Sequence, residues 1–193
     1  MTERIDLEPV GNALLTIVAA VEDTHLDLPT PYRDHTVGEM LQHLVTVTRT
    51  LRDTAEKERT PRTEEKVHGE DWPPLEAGWR AALEEQVPML VRAWSDESAW
   101  EGTTRGGALD LRGQDAGRIT LDELVLHSWD VARATGQDYP VHSIDEQIYA
   151  ESREFLRAVE EEEAADPVEV DDNASIFDRM IALSGRDPNW TRS

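Results

Sequence analysis

Apolar residues recur at three- and four-residue spacing through four stretches of this chain, a periodicity that requires packed amphipathic helices. The first stretch runs from Glu8 to Val21, with Leu14, Ile17, Val18 and Val21 on one stripe and Pro9 suited to the first turn. Thr36-Val-Gly-Glu39 is a capping box that opens a second helix, whose apolar positions are Val37, Met40, Leu41, Leu44, Val47 and Leu51. A polar linker is expected from Glu56 to Asp71. The third helix covers Leu75 to Trp94, with Pro88 expected to kink or interrupt it. Trp100 to Gly117 is Gly-rich and reads as a loop or a small hairpin. The fourth helix is expected from about Thr120 to Ala134, stopped by Gly136. Ser143-Ile-Asp-Glu146 is another capping box, opening a fifth helix that runs to Val159. Beyond Pro167 the chain reads as mostly irregular, with a helical turn or two around Ile176–Leu183. The fold class is therefore all-α, an antiparallel four-helix bundle with extra short helices and room for a small hairpin. Residues 1–193 are taken as one domain, with 166–193 its mostly irregular C-terminal extension.

Composition removes several classes of function. The formal net charge of −22 leaves no basic surface for a phosphate backbone, so no nucleic-acid partner is expected. There is no apolar run of membrane-spanning length and no signal-peptide pattern at MTERIDLEPV, so no membrane partner is expected and the location is read as cytoplasmic. The absence of cysteine rules out disulfides, thiolate ligands and a thiol nucleophile within these residues. Any thiol chemistry needs a thiol from outside. The dense acidic block at Glu160–Glu163 reads as a solvated helix face or end. Nothing in the pattern specifies self-association, and a homodimer is left open.

Histidine context carries the chemistry. Four of the six histidines have an acidic residue four positions upstream: Glu39/His43, Glu64/His68, Glu123/His127 and Asp138/His142. In so acidic a chain that spacing alone identifies nothing, and each pair is equally a neighbouring-turn contact. Surroundings separate them. His68 lies in charged TEEKVHGED, His142 follows Pro140, and His25 and His35 fall in connecting segments. Only His43, in MLQHLV, and His127, in LDELVLHSWDVA, are embedded in apolar periodic sequence.

Glu123 and His127 project from consecutive turns of one helical face, and His43 would face them from the second helix. Two imidazoles and one carboxylate favour zinc, with nickel, iron and manganese as alternatives. Three protein ligands leave a coordination position open, where bound water or a bound thiol becomes a nucleophile. Asp130, three residues after His127, is placed near the same face, either to orient an imidazole or to reach water. The competing reading is structural: Thr120-Leu-Asp-Glu123 is itself a capping-box sequence, and both histidines could be satisfied core residues.

Three blocks then carry a resemblance: Thr30–Val45 (TPYRDHTVGEMLQHLV), Leu124–Gly136 (LVLHSWDVARATG) and Gly185–Trp190 (GRDPNW). In order and spacing they resemble the actinobacterial family of DinB/YfiT-like bundles related to the metal-binding domain of mycothiol-dependent maleylpyruvate isomerase. That resemblance implies a DinB-like four-helix bundle with a divalent metal held by His43, Glu123 and His127. It also implies that the fourth helix begins before Thr120. The reading that follows is a divalent-metal-dependent enzyme using a low-molecular-weight thiol, such as mycothiol, for transfer or isomerisation of a small-molecule substrate. The alternatives are a metal-dependent hydrolase and a non-catalytic metal- or small-ligand-binding bundle. His35 stands where relatives often carry Trp, so the start of the second helix is expected either to pack differently or to supply an extra polar group near the site. The 193 residues are expected to lack room for the isomerase's separate C-terminal domain, so maleylpyruvate isomerisation itself is not expected.

Overall fold

A computed structural model of the protein describes residues 4–32, 35–66, 72–144, 146–159 and 166–192. Among the described residues the chain is mainly α-helical, with one two-stranded antiparallel hairpin. Helix α1 (Glu8–Ala19) has its proline in the first turn, as the sequence predicts. Helix α2 (Val37–Ala55) opens on the expected capping box and runs past Leu51. The Glu39 amide donates to Thr36 Oγ1 at 3.3 Å, and the Thr36 amide donates to Glu39 Oε2 at 2.8 Å. Two orphan amides at the helix start are thereby satisfied.

The polar linker contains a short helix, α3 (Pro61–Glu64), which the sequence reading did not anticipate. Helix α4 (Trp79–Trp94) starts later than Leu75, because Gly78 adopts a left-handed conformation (φ 82°) before the first turn. Pro88 does not interrupt it. The proline lies on the exposed face, where water can take the carbonyl that its missing amide leaves free. A further short helix, α5 (Glu97–Trp100), leads into strands β1 (Thr103–Gly106) and β2 (Leu109–Arg112), paired with Thr103 opposite Arg112. The two tip residues, Gly107 and Ala108, both have positive φ (57° and 69°), as a tight two-residue hairpin requires.

Helix α6 (Gly113–Thr135) begins well before Thr120, earlier than its local pattern suggests and as the family resemblance implies. Gly113 and Gly117 do not break it; they let it approach α5, where a β-carbon on either would collide with the Trp100 backbone or ring. Thr120 is thus an interior helical residue whose hydroxyl donates to the Ala116 carbonyl at 2.8 Å. It caps nothing, and Glu123 is free of a capping role. The helix ends as expected at Gly136 (φ 72°), with the Gln137 amide closing on the Ala132 carbonyl at 2.8 Å.

Helix α7 (Glu146–Val159) follows, and α8 (Ile176–Leu183) is capped by Ser175, whose hydroxyl accepts from the Asp178 amide at 3.0 Å. The expected capping box at Ser143–Glu146 involves side chains outside the described residues, as do His68 and the Glu160–Glu163 block.

Helices α1 and α2 each pack on both α4 and α6, while α7 packs on α6 and α8. The core between them is aliphatic: Leu14 and Val18, Leu41 and Leu44, Leu83 and Leu90, and Leu121 and Leu124 are all completely buried. Helix α6 is covered on nearly every side, every residue from Leu124 to Ala132 being buried. That burial places polar side chains of α6 in the interior. No described helix is long and apolar enough to cross a membrane.

Two substitutions test these local arguments by urea unfolding. Thr36→Ala removes the cap of α2 and is expected to cost about 1 kcal/mol. Gly117→Ala forces its methyl into the Trp100 ring and is expected to cost about 1–3 kcal/mol, whereas relief of backbone entropy alone would make it stabilising.

Candidate metal centre

Three side chains meet where α2 crosses α6. Glu123 Oε2 lies 2.8 Å from His43 Nε2 and 3.2 Å from His127 Nε2. One donor atom from each of the three can be chosen so that all lie within 4.8 Å of one another. Ligands about 2.0–2.1 Å from a tetrahedral zinc stand roughly 3.3 Å apart, so the residues fit a metal with only small adjustment. Both imidazoles are buried, and their rings meet edge to face at 4.7 Å. Glu123 is the accessible member, with a quarter of its side chain exposed.

Behind His127 lies a second carboxylate. His127 Nδ1 is 3.1 Å from Asp130 Oδ2, on a residue with no exposed surface. An ionised carboxylate can only accept, so Nδ1 carries a proton toward Asp130 and Nε2 is left as the atom facing Glu123, where a cation would take the place of its proton. Asp130 is held by Arg186: Nε donates to Oδ1 and Nη2 to Oδ2, each at 2.8 Å. Arg186 is itself buried and lies over the Tyr32 ring, 4.6 Å from its centroid.

The front of the site is aromatic. Trp72 is stacked between His35 (3.9 Å between centroids) and His43 (4.9 Å). Tyr32 sets its ring edge-on to His127 at 5.4 Å. His35 therefore packs near the centre without belonging to the three-residue donor group. The remaining described histidines are elsewhere: His25 Nδ1 accepts from the Glu22 amide in a turn, and His142 is exposed.

The electrostatics follow from burial opposed by neighbours. For Glu123 burial works against ionisation, but the two imidazoles prevail and hold its carboxyl well below the ordinary range. Burial also disfavours a charged His127, yet Glu123 and Asp130 push it above the usual imidazole value. For His43 burial wins, and its pKa falls. Burial likewise opposes ionisation of Asp130, but Arg186 and His127 outweigh it and keep Asp130 charged. Asp122, next along α6, has among the described residues only the Ser152 hydroxyl as a hydrogen-bond donor, and burial lifts it to about 8.

A second acidic group, Asp53 with Glu56 and Glu58, is differently placed. Its buried member already takes hydrogen bonds from Arg52, Thr60 and Arg62, so the cluster is a structural clasp between α2 and α3.

Of the residues singled out from the sequence, the structure brings His43, Glu123, His127 and Asp130 together in space. The sequence reading missed Tyr32, Trp72 and Arg186. Trp72 falls just after the expected linker, and Arg186 sits 56 positions from Asp130. Both Tyr32 and Arg186 lie within blocks that carried the resemblance, the one signal that could have drawn attention to them.

Fold and site together define a helical protein with a buried two-histidine, one-carboxylate centre that one exposed edge opens to solvent. The chain belongs to the family of the mycothiol maleylpyruvate isomerase N-terminal domain, whose model matches residues 7–132. The matched span includes His43, Glu123, His127 and Asp130 but ends before Arg186. No curated protein and no solved structure gives a significant match.

The elevated Asp122 gives a pH prediction for the metal-free protein. A buried acid whose folded pKa lies above its unfolded value of 3.8 leaves stability intact below that value and removes it as pH rises toward about 8. Asp122→Asn is expected to raise the urea midpoint at pH 8 more than at pH 5. Equal shifts at both pH values would place the ionisation elsewhere.

Proposed function

We propose that His43, Glu123 and His127 hold a divalent cation at one end of a DinB-like antiparallel four-helix bundle built from α1, α2, α4 and α6. The observation that carries this is the convergence of two buried Nε2 atoms on one carboxylate oxygen, at 2.8 and 3.2 Å. Zinc suits a donor set of two imidazoles and one carboxylate best, and nickel, iron and manganese are the alternatives. Residues 1–193 act as a single domain, with 166–193 its C-terminal extension, of which α8 packs on α7.

The activity we assign is thiol-dependent transfer or isomerisation, with a low-molecular-weight thiol of the mycothiol kind as cosubstrate. Membership of a family described by mycothiol and maleylpyruvate isomerase supports that class. So does the absence of cysteine, since the nucleophile has to arrive from solution. A cation held there supplies a Lewis-acidic open position, at which a thiol loses its proton near neutral pH.

The residues themselves do the rest. Glu123 marks the open side, where small molecules enter. Tyr32 and Trp72 cover the imidazole faces and keep water from them. Asp130 fixes the His127 tautomer, so that Nε2 and not Nδ1 faces the centre.

The test is metal content by mass spectrometry on protein purified without affinity tags or chelators, alongside His127→Ala. About one divalent ion per chain, lost in the variant, is the expected result, at the ligand number of an open catalytic site. Absence of metal in both, with no uptake of added zinc or nickel, would leave the histidines as core residues and end the reading. Loaded protein should then turn over an electrophilic substrate only when a thiol is supplied. Turnover without thiol would reassign the site to hydrolysis.

A further inference from the structure

Arg186 comes from the C-terminal segment, beyond both the residues that match the family and every residue given a role so far. Its setting is unusually complete. Nε and Nη2 donate to the two oxygens of Asp130 at 2.8 Å each, Nη1 donates to Ser184 Oγ at 3.1 Å, and the guanidinium lies over Tyr32. Nη2 also comes within 3.4 Å of His127 Nδ1, but the carboxylate is nearer to that nitrogen, at 3.1 Å, and is the better acceptor.

A carboxylate can rotate about its final bond, and one hydrogen bond does not prevent that. Two parallel N–H donors fix its plane. Once the Asp130 plane is fixed, the position of Oδ2 is fixed, and with it the direction of the Nδ1–H bond and the ring of His127. The chain of contacts therefore runs from the tail to a proposed ligand atom: Arg186, Asp130, His127 Nδ1, His127 Nε2.

We infer that Arg186 is a positioning residue for the metal centre, using its two-point grip on Asp130 to aim His127 Nε2. The cation site is thus complete only when residues 184–186 are docked against α6. This rests on the metal reading above. It adds that a segment outside the family's matched span decides how tightly the centre binds.

A stabilising ion pair with no positioning role would show the same hydrogen bonds, so the test separates affinity from stability. Zinc dissociation constants are measured by chelator competition for the wild type, Arg186→Gln, Arg186→Lys and Arg192→Gln. The measurements are made at low temperature, where circular dichroism shows each metal-free protein folded. Arg192 is exposed and its Nη1 donates to the Ala134 carbonyl at 2.8 Å, so Arg192→Gln loosens the tail without touching Asp130.

Arg186→Gln is expected to weaken zinc binding about 10- to 100-fold, the usual effect of removing a group that orients a ligand. Arg186→Lys should recover little of this, since one ammonium cannot bond both oxygens in plane. Arg192→Gln should bind as the wild type does. Cobalt substituted for zinc should show a shifted visible absorption band in the two Arg186 variants, reporting a changed ligand direction.

Unchanged zinc affinity in Arg186→Gln would overturn the inference while leaving the metal reading intact. Full rescue by Lys, equal weakening in Arg192→Gln, or failure of both Arg186 variants to fold would overturn it too, since each makes the arginine a generic anchor. No zinc or cobalt bound by the wild type would remove the metal reading and the inference together.

Discussion

An ionised carboxylate with no exposed surface is costly unless it is fully paired, and the pairing of Asp130 organises much of this molecule. Arg186 supplies the compensating charge and two hydrogen bonds, and His127 supplies the third. Because the guanidinium comes from the C-terminal segment, that segment has to return to α6. Because His127 is the other partner, its ring is held with Nε2 toward Glu123 and His43. One buried charge therefore connects the tail to the proposed centre.

The same helix explains why the site lies where it does. Glycines at 113 and 117 let α6 pass close to Trp100 and start before Thr120. With Thr120 inside the helix, Glu123 lies in its middle turns and turns toward α2. Had the helix begun at Thr120, Glu123 would have closed its N-terminus and left two core histidines facing each other. The length of α6 thus decides between a capped helix end and a three-residue donor group.

The aromatic front has a comparable logic. His35 and Trp72 are neighbours in space because the Trp72 ring, ahead of α4 in the chain, lies against the start of α2. Stacking Trp72 between two imidazoles buries the faces of both rings while leaving the Glu123 edge open. An approaching ligand meets the carboxylate first.

Most helices were legible from local pattern, because three- and four-residue apolar spacing, the Thr36–Glu39 capping box and Gly136 each act over a single turn or two. His43, Glu123 and His127 were also legible, since apolar surroundings mark a polar residue as bound for the interior and the 123/127 pair shares a face. Asp130 was legible on the same spacing. From local pattern the start of α6 was not, because Gly113 and Gly117 read as breakers until Trp100 is packed against them, and only the family resemblance implied it. Nor were the roles of Arg186 and Trp72, whose contacts join positions far apart in the chain and follow no repeat. The sequence alone determined which residues would be buried and on which helical face. Only the tertiary structure decided which buried charges meet, because pairing across dozens of residues is set by how helices and tail pack and leaves no local period to read.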